Sequence, residues 1–126
     1  MKSARQIAFE ALLKVHRDGA YSNLVVDSLL KENNGLDERD RAFVCNLVYG
    51  TLDRLILIDY NLSLYLNQPV RKLKPELHTI LRMGTYQLLF MDKVPSRAAV
   101  NESVNLAKVN KSKFAASMVN AVLRRV

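Results

Sequence analysis

The sequence predicts an all-α protein, a compact helical bundle built as one domain. Three observations point there. Apolar residues recur at three- and four-residue spacing through most of the chain. No window alternates apolar and polar residues between hairpin turns, as strands would. The prolines and turn clusters cut the chain into segments of helical length joined by short connections, which favours antiparallel neighbours. At 126 residues and 49% hydrophobic content, one shared core is affordable and two unrelated globular domains are not.

Ser3 with Gln6 three residues on is a capping-box pattern, and Ala4, Ile7, Ala8, Ala11, Leu12 and Val15 continue at helical spacing until Gly19 ends the first helix. A second helix starts near Tyr21 or Ser22, with Leu24, Val25, Leu29 and optionally Ser28 facing inward, and stops at Asn33-Asn34-Gly35, a left-handed turn signal. Asp37 is the expected N-cap of the longest element. Val44, Leu47, Val48, Leu52, Leu55, Ile58 or Asp59, and Leu62 track one face of it through Leu66, about eight turns with a kink near Gly50-Thr51. Pro75 fits the first position of a fourth helix carrying Leu77, Leu81, Gly84, Leu88 and Met91. Val94-Pro95 breaks the chain, Ser96 is expected to cap a fifth helix to about Val109, and Ser112 or Lys113 opens a sixth that runs to Arg125.

The 19 Lys and Arg against 12 Asp and Glu give a net charge of +7, a bias toward polyanionic partners. Its distribution is uneven: Met1 to Ser63 holds 8 basic and 9 acidic residues, net −1, and Leu64 to Val126 holds 11 and 3, net +8. The positive field therefore belongs to the second half. The single cysteine, Cys45, excludes an internal disulfide and a Cys-rich zinc site and fits a reducing compartment. MKSARQIAFEALLKVHRD meets charges too often to hold the apolar centre of a signal peptide, and no stretch approaches the ~20 apolar residues of a membrane span. The expectation is a soluble cytoplasmic domain without a membrane partner.

No catalytic site and no metal site are expected. Cys45 lies mid-helix in AFVCNLV without a basic neighbour to stabilise a thiolate. His16 and His78 lack metal-ligand spacing, and the four glycines are too dispersed to cradle a phosphate. Binding is more legible. On the first helix Lys2, Arg5, Phe9, Leu13 and His16 fall together, away from the Ala4, Ile7, Ala11 and Val15 seam. Cations beside an aromatic ring suit unpaired bases, although Phe9 and Leu13 could equally pack against a second helix layer. In the connection from Tyr65 to Lys74, Arg71, Lys72 and Lys74 gather before a helix N-terminus, a phosphate-favouring arrangement that a solvated loop would also produce. Lys108, Lys111, Lys113, Arg124 and Arg125 form a further basic group. In VPSRAAVNESVNLAK, Asn101, Asn105 and Lys108 share one face; Asn101 and Glu102 read as a buried hydrogen-bond bridge, with Arg82 the candidate partner of Glu102.

LRMGTYQLLFMDKVPSRAAVNESVNLAK followed by MVNAVLRRV resembles the NusB family of bacterial RNA-binding helical proteins, and the match extends across nearly the whole chain. GAYSN at Gly19 to Asn23, DRAFVCNLVYGTLDR at Asp40 to Arg54 and VNAVLRR at Val119 to Arg125 resemble, within that superfamily, the N-terminal domain of the RsmB (Sun or Fmu) family of 16S rRNA cytosine-C5 methyltransferases. The resemblance implies two packed three-helix groups and an RNA-binding accessory role, non-catalytic by itself, ahead of a catalytic domain that would hold S-adenosylmethionine and supply the nucleophilic cysteine. A free-standing NusB-type antitermination factor, binding RNA with a ribosomal protein, is the other family reading; its N-terminus is usually richer in arginine than MKSARQ. A helical domain that docks other proteins is a third possibility. By family analogy, RNA contacts fall on Lys2, Arg5, the Tyr65 to Arg71 connection and the region of Phe114 and Met118, and the motif residues Asn101, Glu102 and, in VNAVL, Asn120 are architectural.

Overall fold

A computed structural model gives the architecture of residues 2–110 and 113–126, without the side chain of Lys113; the basic positions expected at Lys111 and Lys113, and the helix start at Ser112, thus lie at or beyond the edge of the described residues. Among the described residues all regular structure is helical. The helices are α1 (Ala4–Asp18), α2 (Ser22–Glu32), α3 (Glu38–Asp53), α4 (Leu55–Ser63), α5 (Pro75–Phe90), α6 (Ser96–Val109) and α7 (Ala116–Leu123), with short 3-10 turns at Val70–Lys72 and Lys113–Ala115. Helices α1 to α3 pack as one group and α5 to α7 as another; α1 and α3 lie against α5, and α4 is laid along α5.

Local chemistry sets most of the boundaries. Ser3 Oγ accepts from the Gln6 amide at 3.1 Å and Asp37 Oδ1 from the Asp40 amide at 2.8 Å, each satisfying a donor that a helix start leaves open. Gly19 closes α1 with φ of 68°, the left-handed conformation in which its missing side chain matters. Pro75 occupies the first turn of α5, where its absent N–H costs nothing. Ser96 does not cap α6: Pro95 takes the cap position and Ser96 is the first helical residue, since extended Pro95 already ends the preceding connection. The last helix is shorter than expected, with Ala116 to Leu123 following the 3-10 turn.

Two corrections concern packing. The long third helix is two helices, broken at Arg54, whose φ of −125° and ψ of 26° leave the helical region. Gly50-Thr51 sits inside α3, ahead of that break; a Cβ on Gly50 would meet Tyr86 Oη at 2.0 Å, so the glycine lets α5 approach. The break instead sets the Arg54 guanidinium 4.7 Å from the Phe90 ring centroid and re-aims α4, so that Ile58 and Leu62 are fully buried. On α2 the buried stripe is Val25, Val26, Leu29 and Leu30; Leu24 and Ser28, expected inward, are exposed. Phe9 is 2% exposed and fills the core with Ile7, Leu47 and Leu81, so it offers no ring to a base.

Candidate nucleic-acid interface

A polar junction between α1, α4 and α5 fixes how the candidate surface is presented. Asp59 of α4 accepts from Arg82 Nε at 2.9 Å and Nη2 at 2.7 Å, and its Oδ1 lies 2.9 Å from His78 Nε2. Arg82 Nη1 reaches His16 Nδ1 of α1 at 3.0 Å, and the two imidazoles meet edge-on at 5.2 Å. Burial would raise the Asp59 pKa, but the hydrogen bonds from Arg82 and His78, and their charges, hold the carboxyl well below its usual range. Burial, then the nearby Arg82 and His78, push His16 below its ordinary value. Arg82 therefore does not partner Glu102. Spacing on α5 placed His78 and Arg82 on one face, but nothing local to either marked Asp59 as their common acceptor.

Glu102 is exposed and accepts from Asn105 Nδ2 at 3.3 Å, and Asn101 is exposed as well, so neither forms a buried bridge. The interlocking carboxamides are others: Gln6 and Asn110 exchange hydrogen bonds of 3.0 and 2.9 Å between α1 and the end of α6.

Four of the sequence-predicted cations are spread over three clefts, Lys2 and Arg5 in the first, Arg125 in the second and Arg124 in the third, and Arg71, Lys72, Lys74 and Lys108 line none of these. The first, of about 900 Å³ between α1, α3 and α6, contains Lys2 and Arg5, joined by Arg39 and Phe43, which sequence reasoning did not single out. Lys2 Nζ is paired with Glu10 at 2.8 Å. Arg5 donates to Gln87 Oε1 at 2.9 Å and lies 5.0 Å over the Phe43 ring; its half-burial lowers its pKa, against Glu102. Asp37, Asp40 and Glu102 line the same cleft, so its charges offset one another.

The second cleft, of about 500 Å³, joins the chain after α4 to α7. Tyr65, Leu66, Asn67 and Gln68 face Met118, Ala121, Val122 and Arg125, and none of the described lining residues is acidic. The Arg125 guanidinium lies 5.1 Å from the Tyr65 ring centroid, a cation stacked on an aromatic face. Tyr65, Met118 and Arg125, named separately from the sequence, are thus brought together. Arg71 and Lys72 stand exposed on the 3-10 turn that follows, and Lys74 is the exposed N-cap of α5. The third cleft, of about 480 Å³, gathers Arg124, Asn101 and Asn120 with Arg97, a cation that sequence reasoning overlooked. Lys108 is exposed on α6 and Phe114 is 93% exposed. Cys45 is half-buried against the core. Among the described residues no group of three or more His, Cys, Asp or Glu could hold a metal ion, and no helix is long and apolar enough to cross a membrane.

The pattern that defines the NusB family matches residues 2–126. A probable ribosomal RNA small subunit methyltransferase B of Bacillus subtilis is 44% identical over 124 residues, covering 98% of this chain and 27% of the relative. The transcription antitermination protein NusB of Pseudomonas savastanoi is 32% identical over 125 residues, covering 99% of this chain and 75% of the relative. The chain thus spans about a quarter of the length of the methyltransferases it matches. Among solved structures, the antitermination factors NusB and NusE in complex with dsRNA contain a chain that superposes with a TM-score of 0.88 at 22% identity, over 97% of this chain and 91% of that one.

Proposed function

Because the chain belongs to the NusB family, we propose that it is the RNA-binding accessory domain of an S-adenosylmethionine-dependent 16S rRNA cytosine-C5 methyltransferase, acting in the cytoplasm. One observation carries the reading: the second cleft combines an aromatic ring, a guanidinium stacked over it and an absence of acidic side chains among its described lining residues. Unpaired bases stack on such a ring, while neighbouring cations meet the backbone. Arg71, Lys72 and Lys74 extend the cationic track toward the start of α5. Arg124 with Arg97, and exposed Lys108 and Phe114, are further candidates, as are Lys111 and Lys113 on the sequence alone; Lys2 and Arg5 are the weaker candidates because carboxylates share their cleft.

The residues present do not fit S-adenosylmethionine. Gly19 ends a helix, Gly35 stands alone in the turn after α2, and Gly50 and Gly84 are closed over by Tyr86 and Leu123, leaving no glycine-rich loop for the cofactor, which belongs to the rest of such a methyltransferase together with the reacting cysteine. The domain's contribution is to hold the rRNA near that centre.

The test is titration of a 16S rRNA fragment at several salt concentrations. Binding should weaken steeply as salt rises, because each neutralised phosphate releases a counterion. An affinity that ignores salt, or that Tyr65→Ala together with Arg125→Gln leaves untouched, rejects the reading. The 75% coverage of a free-standing NusB protein favours a second reading, an antitermination factor that binds RNA with a ribosomal protein. A methyltransferase reading frame directly downstream of Val126 decides for the first, and a stop codon there for the second.

A further inference from the structure

Helix α4 presents an apolar face that nothing among the described residues covers. Ile56 is 89% exposed, Tyr60 63% and Leu64 54%, with Leu57 beside them, at the three- and four-residue spacing that makes one stripe. The opposite side of the helix lies on α5 through Ile58 and Leu62. Clustered large apolar side chains on a short helix are unfavourable in water and mark a contact surface.

The side chains of Asn61, Ser63 and Asp59 on α4 are already engaged. Asn61 Nδ2 donates to the Leu57 carbonyl at 2.9 Å and Ser63 Oγ to the Tyr60 carbonyl at 2.6 Å. The one charged residue between Leu55 and Ser63 is Asp59, and its carboxylate is turned inward onto Arg82 and His78. The stripe therefore offers an RNA backbone no cation, and the helix has none to seat among lipid headgroups. A second copy is also a poor occupant. A nine-residue helix is about 14 Å long, and one such stripe falls far short of the roughly 800 Å² per partner that a stable interface between free molecules buries.

A small stripe suffices when its partner is tethered, since a short linker holds the two at millimolar effective concentration. The position fits. Leu64 is followed directly by Tyr65, whose ring carries the Arg125 guanidinium at 5.1 Å, one residue before Val126. Any polypeptide that follows Val126, as about three quarters of the length of the methyltransferase relatives lies outside the matched region, would leave the domain beside the end of this stripe.

We propose that the Ile56, Leu57, Tyr60 and Leu64 face of α4 docks against the remainder of the same methyltransferase polypeptide, fixing the RNA-holding domain relative to the catalytic one. This rests on the methyltransferase reading above. The test introduces Ile56→Cys, at an exposed position, in a Cys45→Ser background, and follows maleimide labelling of the peptide that carries the introduced thiol, by mass spectrometry, in the 126-residue chain and in the full-length protein of the same gene, so that thiols elsewhere in the full-length protein do not enter the rate. The expected result is labelling at least ten-fold slower in the full-length protein, independent of protein concentration and of RNA. Equal rates overturn the proposal. So does protection that appears only at high protein concentration, which assigns the face to a second copy, or only on adding rRNA, which assigns it to nucleic acid. A gene without a downstream methyltransferase frame instead fails the reading beneath the proposal, before any labelling is done.

Discussion

Arg82 and Arg125 are the same residue type in the same basic half of the chain, and the structure gives them opposite roles. Arg82 is largely buried, forked onto Asp59 and bonded to His16, so its charge is consumed in holding α1, α4 and α5 together. Arg125 is exposed, stacked on Tyr65, with no acidic residue among the described residues of its cleft. Counting charges along the sequence weighs the two alike. What separates them is desolvation: a cation taken from water must be met by a carboxylate, whereas a cation at the surface keeps its field available to a ligand.

Breaking the buried partner should give the largest effect. Asp59→Ala leaves Arg82 and His78 without their shared acceptor, and loss of one member of a buried pair costs about 3 kcal/mol. The urea midpoint should drop accordingly, with the affinity of the still-folded protein for RNA unchanged. Parallel losses of stability and affinity would mean that the junction and the open cleft are not separate regions.

The open cleft should respond in reverse. Tyr65→Ala removes the stacking platform, a loss of about 2 kcal/mol in RNA affinity, while thermal stability stays close to that of the parent because the ring is only half-buried. Tyr65→Phe should keep most of the affinity, and filter binding of the three proteins in parallel separates a stacking ring from a hydrogen-bonding hydroxyl. A smaller effect is expected at Arg71. Arg71→Gln should lower the slope of log affinity against log salt by about 0.7, the value for one phosphate contact on a single strand. Reversing Arg71, Lys72 and Lys74 together should enlarge that change.

How much of this was legible in the sequence depends on the range of the cause. Ser3, Gly19, Asp37 and Pro75 were readable because a cap acts on amides two or three residues away, within the window a pattern can see. The break at Arg54 was not, since it is tied to rings at Phe90 and Tyr86 and to a carboxylate that reaches Arg82. The exposure of Leu24 and the burial of Phe9 were equally hidden: spacing defines a stripe but leaves open which neighbour it meets. Tyr65, Met118 and Arg125 were each readable as candidates, but their meeting in one cleft is tertiary. The placing of Lys2 and Arg5, of Arg125 and of Arg124 in three different clefts is tertiary too; carboxylate side chains line the first, and none stands among the described lining residues of the other two, of which only the second sets a cation over an aromatic ring.

The smallest expected effect comes from pH, and it sharpens the contrast most cleanly because histidines and a carboxylate build the junction and none stands among the described lining residues of the second cleft. His16 is depressed in the folded state, so the unfolded chain binds more protons just below the ordinary histidine value of about 6.5, and stability should fall as pH drops through that range. Asp59 is likewise depressed, so its contribution is fully present above the ordinary aspartate value of about 4 and is lost as pH falls below it. Thermal melts should therefore show a shallow decline between roughly pH 7 and 5 and a steeper one below about pH 4. His16→Gln should flatten the first and leave the second. The described lining of the second cleft contains no histidine, aspartate or glutamate, so RNA affinity measured from pH 7 to 5 should stay level while stability declines. An affinity that tracks the melting curve would place the junction inside the binding surface and erase the distinction between the two arginines.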